Sequence, residues 1–189
     1  MEKLIIFSAP SGSGKTTVVQ HLLTVMKDQL GFSISATTRK KRPSETEGLD
    51  YYFLEEEAFR KKLSDHEFLE SEQVYKGLFY GTLFSEVERV WAEGKVIVFD
   101  VDVKGGINIK QQYGNKALAV FLRPPSLDVL MERLRNRDTE VEHQLQERVD
   151  KAKFELGFED QFDRVIVNDD LNTTLAEAEA IVKEFLRNN

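Results

Sequence analysis

Four continuous apolar runs set the tightest limit on how this chain can fold: "LIIF" at 4–7, "VIVF" at 96–99, "ALAVFL" at 117–122 and "VIV" at 165–167. None shows the polar alternation of a strand with one wet face, so each reads as a strand covered on both faces. Such strands belong to parallel sheets, and parallel neighbours need long crossovers, usually helical. Helical spacing is present between them. Val18, Val19, Leu22, Leu23 and Met26 mark one face of a helix starting near Lys15, and further helices are expected over 84–93, 127–137, 144–156 and 175–186. Strands alternating with helices imply right-handed crossovers and a doubly wound α/β core.

Residues 32–83 break that rhythm. "FSIS", "YYF" and a polar–apolar mixture through Tyr80 read as a small mixed or antiparallel insertion. At 189 residues the chain suits one domain carrying such an insertion. Absence of cysteine excludes disulfides and thiolate metal sites and suits a reducing, cytoplasmic setting. Residues 4–7 are too short for a signal segment, and no apolar run reaches membrane-spanning length. A net charge of -7 argues against broad nucleic-acid binding, so local basic clusters need their own explanation.

"SAPSGSGKTT", residues 8–17, lies between the first strand and the first helix, the context a phosphate-binding loop requires. Gly12 and Gly14 allow successive N–H groups to point inward, and the helix N-terminus adds positive potential. Lys15 would reach the β- and γ-phosphates, and Thr16 would ligate Mg²⁺. Ala9 stands where the strict pattern has glycine. "KVIVFDVDV", residues 95–103, ends a buried strand in Asp100 and Asp102. At spacing i, i+2 the two carboxylates project to one side, where Mg²⁺ or a polar substrate edge would sit. The alternative is that one or both cap the turn "VKGG".

"TTRKKRP", residues 37–43, contains four cations and no acid, leaving its charge without local compensation. By itself the run fits an anion site, a solvated basic patch or a nuclear-import signal.

Together these segments resemble guanylate kinases, ATP-dependent kinases of GMP. "FSISATTRKKRP", "DYYF", "FLE", "FYGT", "FDVDVKGG", "PPS" and "VIVNDD" are similar to family blocks and follow the family order over nearly the whole chain. Alanine is familiar in the family at the position of Ala9. The resemblance implies an α/β phosphate-loop kinase core with a parallel sheet flanked by helices (1–31, 84–128 and 150–189), an inserted small mixed β acceptor-binding subdomain for GMP (32–83) and a helical lid (129–149). It assigns ATP to Ala9, Pro10, Ser11, Gly12, Ser13, Gly14, Lys15, Thr16 and Thr17, with Arg133, Arg137 and Asn168. Asn168 is expected to face the adenine. It assigns the GMP phosphate to Arg39 and Arg42 with Tyr51 and Tyr80, which suits a dianion held by guanidinium forks and phenol donors. Lys40 and Lys41 receive no ligand role. Guanine selectivity falls to Glu70, Ser35, Thr82 and Asp102. A carboxylate such as Glu70 accepts guanine N1–H and N2–H together, whereas adenine offers a bare acceptor there. Thr82 stands where family members often have serine, keeping the hydroxyl.

Arg133, Arg137 and Arg148 match the family's lid arginines, Arg148 being assigned to the GMP-binding set. The sequence supplies an independent clue: Arg133 and Arg137 form a like-charge i, i+4 pair, and neither Arg133 nor Arg148 has an acid three or four residues away. The implied catalytic set is Lys15, Arg39, Arg42, Asp100, Arg133, Arg137 and Arg148, with Mg²⁺ at Thr16 and Asp100. The implied partners are ATP and GMP, with no nucleic acid and no membrane; oligomeric state is open. Two other readings share part of this pattern. Another small-molecule kinase could share the donor loop, and Glu70 with Arg39 and Arg42 argues for GMP instead. A non-catalytic guanylate-kinase-like interaction module would typically lose the loop that Gly14, Lys15 and Thr16 keep intact.

Overall fold

The computed structural model describes residues 2–75, 77–137 and 142–188, with backbone alone at 75, 136–137 and 142–145. Its core is a five-stranded sheet in the order β2-β7-β1-β8-β9, comprising β1 (Leu4–Ser8), β2 (Leu30–Phe32), β7 (Val96–Asp100), β8 (Ala117–Arg123) and β9 (Arg164–Val167). Every pairing is parallel. Successive side chains on a strand point to opposite faces. Ile5, Phe7, Val98 and Val120 therefore pack against α1 (Lys15–Val25) and α7 (Leu171–Arg187). Leu4, Ile6, Phe99 and Phe121 pack against α3 (Phe84–Ala92) and α4 (Val103–Tyr113). Burial on both faces is why the four runs are continuous rather than alternating.

Two core elements differ from the sequence reading. β2 went unseen because "LGF" is short and carries Gly31; a Cβ there would meet Val90 Cγ1 at 2.6 Å, so glycine lets α3 pack close. The stretch read as a turn, "VKGG", is the first turn of α4, whose Asp102 N-cap accepts from Gly105 N–H. A Cβ on Gly106 would lie 2.3 Å from Ser8 Oγ, so the helix reaches the sheet only through glycine. The boundary set at residue 32 also moves, since Phe32 pairs with Val98 in the core sheet.

Between β2 and α3 lies a second sheet in the order β4-β3-β6-β5, formed by β3 (Ala36–Thr37), β4 (Tyr52–Phe53), β5 (Phe68–Tyr75) and β6 (Leu78–Leu83). It is mixed: β3 and β4 run parallel, the other pairs antiparallel. α2 (Glu56–Ser64) covers it, Phe59 stacking on Phe68 at 4.3 Å between ring centroids. Both chain crossings into this unit converge on Glu86 of α3, which is 2% exposed. Glu86 accepts from Ile34 N–H at 3.0 Å, Tyr52 O–H at 2.8 Å and Arg89 Nη2 at 2.9 Å. Burial opposes its ionisation, but those donors hold its carboxyl below the usual range. Next to the loop after β1, α5 (Leu127–Arg137) and α6 (Glu142–Leu156) pack together through Leu130, Leu134, Val149 and Ala152. Residues 138–141 of the expected lid lie outside the described residues. No helix among the described residues is long and apolar enough to cross a membrane.

Candidate active site

β1 delivers the chain to a loop that closes on α1 at Lys15. Gly12 and Gly14 hold φ of 88° and 87°, left-handed values that side chains rarely adopt. Gly14 is required for a second reason: a Cβ there would sit 2.4 Å from Asn168 Nδ2. Asn168 is buried behind the loop and donates to Ser13 C=O at 2.7 Å. It does not line the cavity, so its observed contact is with the loop rather than with space for a base.

The loop, from Ala9 through Thr17, forms one wall of a cavity of about 1050 Å³. At its floor, Asp100 closes β7 and bridges two loop side chains. Lys15 Nζ lies 2.7 Å from Asp100 Oδ1, and Thr16 Oγ1 donates to Asp100 Oδ2 at 2.9 Å. Lys15 also donates to Val101 C=O. One carboxylate and one hydroxyl beside a phosphate cradle fit Mg²⁺, which takes few protein ligands and completes its shell with water and phosphate oxygens. Among the described residues no cluster of three or more His, Cys, Asp or Glu groups could hold a metal alone, so such a site would need the nucleotide.

The opposite wall belongs to the inserted sheet and contains Ser35, Arg42, Tyr51, Glu70 and Tyr80. The basic run is compensated after all, by an acid just beyond it. Arg39 Nη1 and Nη2 donate to Glu45 at 3.0 and 2.6 Å, and Arg42 N–H donates to the same carboxylate at 2.8 Å. Arg39 Nη1 donates a further bond to Lys40 C=O. A guanidinium has five N–H groups; these bonds use both Nη1 hydrogens and one on Nη2, and the remaining Nε–Nη2 edge has the Tyr80 hydroxyl beside it. The Arg39 Cζ lies over Tyr51, 5.4 Å from the ring centroid, and Tyr51 meets Tyr80 edge-on at 6.0 Å. The bond to Glu45, above all, raises the Arg39 pKa further. Burial foremost, with Tyr80 next to it, pushes the Tyr51 phenol up. Lys40 and Lys41 are exposed.

Deeper along this wall, Glu70 takes a hydrogen bond from Thr82 Oγ1 at 2.9 Å. Thr82 is fully buried behind Glu70 and outside the cavity lining. Burial first, opposed by that bond and reinforced by Asp102, pushes the Glu70 carboxyl up to about 7. Asp100 and Asp102 both line the cavity but serve different partners: Asp100 faces the loop, while Asp102 caps α4 at 2.7 Å from Gly105 N. The helical hairpin supplies the rim. Arg148 Nη2 donates to Ser11 Oγ at 2.9 Å and lines the cavity. Arg133 Nη2 donates to Asn168 C=O at 3.1 Å and does not line it. The Arg137 side chain lies outside the described residues.

Sequence reasoning missed Glu45, whose only linear signal is being the first acid after the basic run. It also missed Glu72, Lys151 and Glu155 of the lining, which nothing in the linear pattern marks.

The family model described as guanylate kinase matches residues 1–185. A guanylate kinase of Bacteroides fragilis is 50% identical over 184 residues, spanning 97% of this chain and 90% of that protein. One of Porphyromonas gingivalis is 48% identical, spanning 98% and 99%. Among solved structures, guanylate kinase from Anaplasma phagocytophilum superposes with a TM-score of 0.74 at 27% identity, covering 96% of this chain and 85% of that one.

Proposed function

The chain belongs to the guanylate kinase family and transfers phosphate from ATP to GMP; we propose that both nucleotides meet in the single cavity described above. What carries this assignment is the facing of two anion-binding walls across it. The loop amides, Lys15 and Thr16 form one, and Arg42, Tyr51 and Tyr80, with Arg39 alongside, form the other.

Phosphoryl transfer asks the protein for alignment and charge neutralisation more than for covalent chemistry. Lys15, held by Asp100 and Val101, would exchange those partners for donor phosphate oxygens. Thr16 and Asp100 would hold Mg²⁺, which neutralises charge shared by the ATP β- and γ-phosphates. On the acceptor side, the Nε–Nη2 edge of Arg39 takes the GMP phosphate in a bidentate contact while Glu45 keeps the adjoining Nη1–Nη2 edge. Arg42, Tyr51 and Tyr80 complete that grip. Glu70 accepts guanine N1–H and N2–H, oriented from behind by Thr82, with Ser35 and Asp102 beside it. Arg148 and Arg133, with Arg137, stabilise charge on the transferred group. Asn168 serves by stiffening the loop. Closure of the insertion and hairpin over the nucleotides would exclude water and limit ATP hydrolysis. ATP and GMP are the proposed partners. The cytoplasm is the proposed compartment, the absence of cysteine being suited to it.

A coupled assay of ADP release with GMP, AMP, UMP and CMP in parallel tests the assignment. GMP alone should support rapid turnover, and equal use of AMP would remove Glu70 from base recognition.

A further inference from the structure

We propose that Glu72 is a specificity-determining residue of the acceptor site, its inner carboxylate oxygen accepting the second N2–H of guanine. The inference rests on the GMP reading and extends it to a residue with no role so far.

Glu70 and Glu72 stand two apart on β5 and so share the face turned to the cavity. Across the ladder, Glu70 pairs with Thr82 and Glu72 with Tyr80. Glu72 thus lies one step from the base carboxylate, on the way to the tyrosine that grips phosphate. Its outer oxygen, Oε1, is 3.7 Å from Lys104 Nζ. Its inner oxygen, Oε2, is buried and has no hydrogen-bond partner among the described residues. A buried acceptor left unmade costs about 1–3 kcal/mol, so a ligand that brings a donor recovers that amount.

The donor count identifies which hydrogen that is. Guanine presents three N–H hydrogens on one edge, one on N1 and two on N2. Glu70 can meet N1–H and one N2–H with its two oxygens. Asp102 has Oδ1 committed to the cap of α4. Asp102 keeps Oδ2, but Glu72 Oε2 is the acceptor on this wall that is buried without a donor among the described residues, and the remaining N2–H would supply one. Other charges face Glu72 from the packed elements: Asp102 and Lys104 at the start of α4, and Lys151 and Glu155 on α6. Burial first, then the adjoining Asp102, push the Glu72 carboxyl up to about 7, as expected of two acids in contact without a shared cation. An amino hydrogen from the base relieves that contact.

The test compares kcat/KM of the wild type and Glu72→Ala for GMP, IMP and dGMP, with KM for ATP measured alongside. IMP keeps O6 and N1–H but lacks the 2-amino group. The variant should lose about tenfold or more with GMP and with dGMP, while IMP and the ATP KM stay within about twofold. The wild-type preference for GMP over IMP then narrows by the same factor. Equal losses for GMP and IMP, no loss at all, or a loss confined to GMP with dGMP spared would each overturn the inference. The last would move the contact to the ribose 2′-hydroxyl. A wild-type chain that ignores GMP would overturn the acceptor assignment and this inference with it.

Discussion

Glu70→Gln should make the nucleotide-free protein more stable at pH 8 while removing its use of GMP. Burial raises the Glu70 carboxyl from 4.5 to about 7. Relative to the unfolded chain, the folded state therefore holds its proton longer. The charged side chain costs nothing below pH 4.5, costs progressively more between 4.5 and about 7, and costs its full amount above. At about 1.4 kcal/mol per unit, that amount is about 3 kcal/mol, and water at the cavity mouth trims it to about 2–3. Glutamine matches the neutral shape and still accepts from Thr82 Oγ1. For a chain of this length each kcal/mol moves Tm by roughly 2–4 °C, so the variant should melt about 4–12 °C above the wild type at pH 8. Thermal unfolding followed by circular dichroism from pH 5 to 8.5, without nucleotide, reads the difference. The gap should shrink towards zero at pH 5, and saturating GMP should raise Tm of the wild type far more than that of the variant. A variant no more stable than the wild type at pH 8, or a gap unchanged at pH 5, would refute the reasoning.

Lys15→Ala should lower kcat by at least a hundredfold with the fold intact by circular dichroism; near-normal turnover would remove the donor role of the loop lysine. Glu45→Gln frees the guanidinium edge it now occupies and should raise KM for GMP about tenfold, with KM for ATP unchanged. Because Glu45 acts through Arg39, the same substitution made on Arg39→Ala should add little, and a full additive loss in that double-mutant cycle would contradict the positioning role. Gly106→Ala places a Cβ 2.3 Å from Ser8 Oγ and should cost about 1–3 kcal/mol in urea unfolding. Adding Ser8→Ala should recover part of the loss, and strict additivity would disprove that clash.

Helix α7 shows where sequence periodicity runs out even in regular structure. The spacing placed its start at 175, yet it begins at Leu171 because Asp170 caps it, accepting from Thr173 N–H at 2.8 Å. A single polar side chain extends the helix by a turn, and apolar spacing cannot register that. Glycine misled in the opposite direction. Gly31 weakens the strand pattern and Gly105–Gly106 the helix pattern, although each is present because a neighbour comes too close for a Cβ. Intrinsic propensity is a weak prior where packing decides.

The sequence alone determined the parallel core, because burial on both faces leaves unbroken apolar runs. It also determined the phosphate loop, because two left-handed turns before a helix demand glycine at set positions. Tertiary structure decided the use of each polar group across the cavity. It assigned one edge of Arg39 to Glu45, put Thr82 behind Glu70 rather than beside it, committed half of Asp102 to a helix cap and left one oxygen of Glu72 without a donor among the described residues. Those outcomes depend on which atoms from distant strands and helices come within hydrogen-bonding reach. Residue spacing along a chain records local backbone and burial, but not that meeting.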